Sequence, residues 1–151
     1  MKRHLPFWIA GLAAVAVVMR SGADEIILQD GSRQKGTVQI DDFEWVEIVA
    51  DGRLRYPQNR VKKVEYTGTP MAYTSAESAR MLGNFEAAIE GYNEALNERH
   101  NKLLTQYILY NLGTCYHNIG DVDNALASFK RLLVEQPRTR FLHQALDTAI
   151  E

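Results

Sequence analysis

Few residues of this 151-residue chain are of types that do chemistry, and their spacing limits what that chemistry can be. Beyond position 23 the histidines are His100, His117 and His143, and the single cysteine is Cys115. Metal-binding pairs on a helix sit four residues apart with an acid between them, and these histidines are not so spaced. No glycine-rich phosphate loop, nucleophile elbow or Cys-x2-Cys pair occurs, and the acids are scattered. The expectation is no catalysis, no metal and no cofactor. One charged cluster stands out: Arg53, Arg55, Arg60, Lys62 and Lys63. Such a basic edge either holds an anionic polymer, lipid headgroups or nucleic acid, or simply protects a strand edge with charge.

The first twenty-three residues belong to a different class of segment. Lys2, Arg3 and His4 precede an uncharged run from Leu5 to Met19, and Ser21 and Ala23 stand two apart, the form of a secretory signal peptide cleaved after Ala23. A spanning helix needs about 20 apolar residues, so an uncleaved inner-membrane anchor is the alternative, and it would be the only membrane contact. Without Lys2, Arg3 and Arg20 the seventeen basic residues fall to fourteen against nineteen acidic ones, a net charge of −5. An acidic protein placed in the periplasm or outside the cell is a poor nucleic-acid binder.

From Glu25 to Tyr66 short β-branched runs alternate with turn residues. Strands are expected at 25–29, 35–40, 45–49, 53–56 and 62–66, with Asp30-Gly31 and Asp51-Gly52 as hairpin turns, since the left-handed backbone of tight turns suits glycine. Pro57 ends the fourth strand, and Gln58 to Val61 form one turn before the fifth. Five short strands over residues 24–67 are similar to a small SH3-like or Sm-like barrel, which hides most sheet edges. Thr67 to Pro70 read as a linker. Beyond it the hydrophobic period changes from two to about 3.6.

Helices are expected at 72–82, 85–97, 103–119, 122–135 and 141–150, giving an α+β chain of two modules. Gly83 and Gly120 suit the αL residue that closes a helix, and Asn84 and Asp121 suit the N-caps that follow. Gly83 aligns with Gly120, Ala88 with Ala125, Tyr92 with Phe129 and Ala95 with Leu132, all at a spacing of 37. Leu109, Leu112-Gly113, Tyr116, Ala125-x3-Phe129 and Pro137 then resemble the tetratricopeptide repeat, whose 34-residue pattern runs W-x2-L-G-x2-Y, A-x3-F, P. The first repeat has a degenerate first helix, with Ala72, Ser75, Ala76 and Ala79 at the Trp, Leu, Gly and Tyr places. Its three surplus residues fall at Arg99-His100-Asn101, where a longer loop is expected. Residues 139–151 read as a solvating cap helix with Gln144, Asp147 and Glu151 outward.

The resemblance implies a concave groove lined by helix-A side chains, here Tyr107, Tyr110, Asn111, Thr114, His117 and Asn118. Tyrosines among adaptable polar groups suit peptide binding; the alternative is that Tyr107 and Tyr110 pack on the first repeat or the barrel. The carboxylate clamp of some family members is not carried over. Of its residues only Asn111 is in place, with Tyr73, Glu77, Thr114, Phe141 and Ala145 at the other positions. The resemblance also puts Cys115 at a small buried position, an inert thiol. The overall expectation is an exported adaptor or assembly factor that binds another protein or peptide through the repeats. The rival is an envelope-polymer binder using the barrel's basic edge, with the helices mediating a homodimer.

Overall fold

The computed structural model describes residues 22–148. Residues 1–21 of the signal-type segment, and Glu151 of the expected cap surface, lie outside those residues. Five strands come first: β1 (Asp24–Leu28), β2 (Arg33–Asp41), β3 (Trp45–Val49), β4 (Arg53–Pro57) and β5 (Val61–Glu65), with a 3-10 turn at Gln58–Arg60 before β5. They form one antiparallel sheet ordered β4-β3-β2-β1-β5. The long β2 serves both halves. Bulges between Ile27 and Leu28 and between Val38 and Ile40 bend the sheet, as an extra residue on one strand must. Side chains of strands alternate in direction, so Ile26 and Leu28, and Val46 and Ile48, reach the core with Val38, and the bulge at Ile27/Leu28 brings Val61 and Val64, three residues apart, to the same face. Gly36 marks the tightest crossing, since a Cβ there would lie 2.5 Å from the Val49 carbonyl oxygen. Only the first Asp-Gly turn uses the left-handed region, with Gly31 at φ +84°. Gly52 stays outside it, and Ala50 N–H donates to the Gly52 carbonyl to close the second hairpin.

Five helices follow: α1 (Met71–Met81), α2 (Phe85–Asn97), α3 (Leu104–Asn118), α4 (Val122–Glu135) and α5 (Leu142–Thr148). The architecture is thus α+β, a sheet followed by a helical array. α1 ends through Gly83 at φ +77° and α3 through Gly120 at φ +80°, a backbone that L side chains rarely adopt. The next residue caps the next helix each time: Asn84 accepts from Ala87 N–H and Asp121 from Asn124 N–H, both at 3.2 Å. The surplus loop lies between α2 and α3. There His100 meets the Glu98 carbonyl at 2.8 Å and Thr105 Oγ1 at 3.0 Å. Arg99, His100 and Asn101 also line an open cavity of about 740 Å³ against Gly36, Thr37, Thr67 and Gly68 of the sheet side.

Close helix contacts explain the repeat residues. A Cβ on Gly113 would lie 2.7 Å from the Phe129 ring, and one on Gly91 would lie 2.9 Å from Ala76 Cβ. Tyr92, Ala88 and Ala95 are fully buried between α1, α2 and α3, while Leu109, Ala125, Phe129 and Leu132 form a second cluster with Ala145. Leu112 and Cys115 belong to the first cluster, and the half-buried Tyr116 touches both.

The two sequence modules do not have separate cores. One cluster runs from Ile26, Val64 and Tyr66 of the sheet side to Ala76, Leu104 and Ile108 of the helices. The linker is pinned as well, since the Asp24 carboxylate accepts Val38 N–H at 2.9 Å and Thr67 N–H at 2.8 Å.

Candidate protein-binding surface

The first turn of α3 supplies Gln106 and Tyr107, and the segment after Pro137 supplies Arg138, Thr139, Arg140 and Phe141. Both face Asp41, the last residue of β2. Tyr66 and Tyr107 hydroxyls each donate to Asp41 Oδ2 at 2.6 Å, and Arg140 reaches Oδ1 at 3.2 Å. Gln106 donates to the Asp41 carbonyl at 2.9 Å and accepts from Thr139 Oγ1 and Arg140 N–H. Arg140 also contacts the Tyr107 hydroxyl. Every buried polar side-chain atom among the described residues has a partner. At the rim, Arg138 pairs with Asp42 at 2.9 Å and Glu44 at 3.0 Å and lies 4.8 Å over the Phe43 ring.

The electrostatics are those of a lock. Burial pushes the Tyr66 hydroxyl far above its ordinary value, with the Tyr107 and Asp41 oxygens adding to it. Burial likewise raises Tyr107 well above 10, reinforced by Asp41. Burial opposes the Arg140 charge, but the Tyr107 and Asp41 oxygens outweigh it and raise its pKa. These groups stay in one ionisation state at any physiological pH. Tyr107, expected to line a groove, therefore serves as a bolt between sheet and array, and stands edge-on to Phe141 at 5.1 Å.

Further along the same face, Glu77 joins the two repeats. Its Oε1 accepts from Asn111 Nδ2 at 2.7 Å and from the Tyr92 hydroxyl, and its Oε2 accepts from Arg80 at 3.0 Å. Burial first, then Glu77, raises Tyr92 and Tyr73 above their ordinary range. Tyr110 stacks flat on Phe141, with ring centroids 4.3 Å apart and planes 4° apart. Ala145 is fully buried. The clamp positions are thus occupied by internal contacts: Glu77 binds Asn111, and Phe141 covers Tyr110.

Thr114 and Asn118 turn back onto their own helix, donating to the carbonyls of Tyr110 and Thr114 respectively. His117 and Asn118 are exposed, and with Thr114 they form the accessible end of the α3 face. Cys115, one position away, points inward; burial pushes its thiol up to about 11. Among the described residues no three His, Cys, Asp or Glu side chains gather as a metal site, and no helix is long and apolar enough to cross a membrane.

The basic edge is largely paired. Glu47, whose side chain is 2% exposed, faces Arg55 at 2.7 Å and Arg53 at 3.5 Å, and Lys63 meets Glu65 at 2.7 Å. Arg60 and Lys62 are exposed cations with no ion pair among the described residues. The seam residues Asp41, Gln106 and Arg140 were not singled out from sequence. The available signals were an acid closing an apolar strand and an arginine beside Phe141.

Helix hairpins with glycine closures, small–aromatic packing and a tyrosine-bearing inner face define a helical-repeat array. Residues 107–139 match the family model of the tetratricopeptide repeat. A 65-residue stretch is 35% identical to "Photosystem I assembly protein Ycf3" of Acaryochloris marina (strain MBIC 11017), covering 43% of this chain. The chain spans 39% of that relative's length. The helical half is a tetratricopeptide-like array.

Proposed function

We propose that this chain is an exported, non-enzymatic adaptor or assembly factor that binds a protein partner through the α1–α3 face of its repeat array. The sheet, a small barrel of the SH3-like or Sm-like kind, holds that face rigid. The observation that carries the reading is the tetratricopeptide match over residues 107–139, within which His117 and Asn118 of α3 are exposed and Thr114 is half-buried. The likeness to a photosystem assembly protein supports an assembly role without naming a partner. Pairing of Arg53 and Arg55 with Glu47 weakens the rival in which the basic edge binds an envelope polymer.

The test is site-specific photo-crosslinking in the native cell envelope, with the probe at His117 or Asn118 and, as a control, at exposed Glu90 of α2. One common protein adduct from the first two positions and none from Glu90 is expected. No adduct, or the same adduct from all three, refutes the groove.

A further inference from the structure

α2 and α4 are the second helices of their repeats, and the 37-residue register lets one be compared with the other. Phe85, Ile89 and Leu96 of α2 correspond to Val122, Leu126 and Leu133 of α4. At 100° per residue each trio makes one stripe down its helix, adjacent to the buried face of Ala88 and Tyr92 or of Ala125 and Phe129. The α2 stripe is half-buried, packed against the core that α3 shares. Among the described residues the α4 stripe packs on neither core cluster; Val122 is 58% and Leu126 41% exposed, and Leu133 is half-buried. Among the described residues the α2 stripe is covered by α3, and no helix packs on the α4 stripe in the same way. Leu146 of α5 and Ile119 beside Gly120 are further exposed apolar side chains, at 42% and 41%. The molecule itself thus shows what covers this stripe in its first copy, an amphipathic helix.

The charges beside the stripe specify which helix. Asp123 and Lys130 flank it, seven residues apart on the same side, both exposed, and neither has an ion pair among the described residues. An acid and a base so placed are their own complement. When two α4 helices cross antiparallel beside Leu126, Asp123 of each lies opposite Lys130 of the other, and Leu126 meets Leu126. Such a contact is isologous and closes at two copies. We infer that the α4 stripe is the surface through which two copies of this chain pair, antiparallel, about Leu126. The pairing lies on α4 and leaves the α1–α3 face free, so it stands or falls apart from the adaptor reading.

Sedimentation velocity over a dilution series tests it, with circular dichroism confirming each variant's fold. The wild-type chain forms a dimer that dissociates on dilution. Leu126→Asp, which touches no core cluster, weakens it by about 100-fold or more because both copies lose the contact. Asp123→Lys weakens it by about tenfold, and adding Lys130→Asp restores it, since the exchanged charges meet again across the axis. A wild-type monomer at every concentration, a dimer indifferent to Leu126→Asp, or a double charge variant no better than Asp123→Lys overturns the proposal. Because the charge variants alter only exposed groups, the register remains testable even where Leu126→Asp perturbs α4.

Discussion

Replacing Asp41 by alanine strips the Arg140 guanidinium, whose side chain is 7% exposed, of its carboxylate partner at 3.2 Å. The same change removes the acceptor of two phenolic hydroxyls that each donate at 2.6 Å. Breaking a buried ion pair from one side costs about 3–5 kcal/mol, because the charge left behind has neither water nor partner. The Tyr107 hydroxyl still accepts from Arg140, whereas the Tyr66 hydroxyl is left without a partner, at about 1 kcal/mol more. The expected total is about 4–6 kcal/mol, a drop in melting temperature of about 15–25 °C for a chain this size. Urea unfolding followed by circular dichroism measures it, in a cycle of Asp41→Ala, Arg140→Ala and the double variant. Removing both charges relieves the orphaned one, so the double variant falls short of the sum by about 2 kcal/mol or more. An Asp41→Ala variant within about 1 kcal/mol of wild type, or strict additivity, refutes the reasoning.

Gly113→Ala drives a methyl toward the Phe129 ring, 2.7 Å from the new Cβ position, and should cost about 1–3 kcal/mol in a urea melt. Phe129→Leu in the same chain should recover part of that loss, and additive losses would contradict the contact. Alkaline pH should loosen the fold in a defined window. The Cys115 thiol, ordinarily at 9.0, is held up to about 11, and burial also raises Tyr66, Tyr73, Tyr92 and Tyr107 above 10.0. These groups ionise first in the unfolded chain, so their stabilisation is complete below the ordinary values and is lost as pH climbs through the folded ones. The urea midpoint should fall continuously from pH 9 upward, with Cys115→Ala flattening the early part. A midpoint constant to pH 11 refutes it.

Much of the fold was legible because it is local. The bounds of α2 and α4 and of β3 follow from caps, turns and hydrophobic period, and Gly113 and Phe129 stood out as repeat positions, though not as partners in one contact. The Asp51-Gly52 turn was misjudged in its backbone because an Asp-Gly pair does not specify which hairpin closure forms. The candidate site was less legible, because its chemistry is non-local. Tyr107 carries the composition of a groove residue, yet its hydroxyl is committed to an acid 66 positions away. Residues 139–140 read as the start of a solvated cap, whereas Thr139 and Arg140 are buried against β2. Pairing between distant polar groups has no period for a sequence to display. The α4 stripe was hidden for a related reason: Val122, Leu126 and Leu133 have the types of ordinary core positions, and only the packing shows Val122 and Leu126 exposed.

The seam also governs how this protein can be taken apart. A truncation at the Thr67–Pro70 linker follows the secondary structure but cuts through a single core, leaving Leu104 and Ile108 on one fragment and Ile26 and Val64 on the other. Fragments made there would be sticky half-proteins, and anything they captured from an extract would report raw apolar surface rather than biology. Dissection of function in this chain therefore belongs to point substitutions in the intact protein, and a homologous repeat grafted elsewhere would need to bring its sheet along as a chaperoning lid.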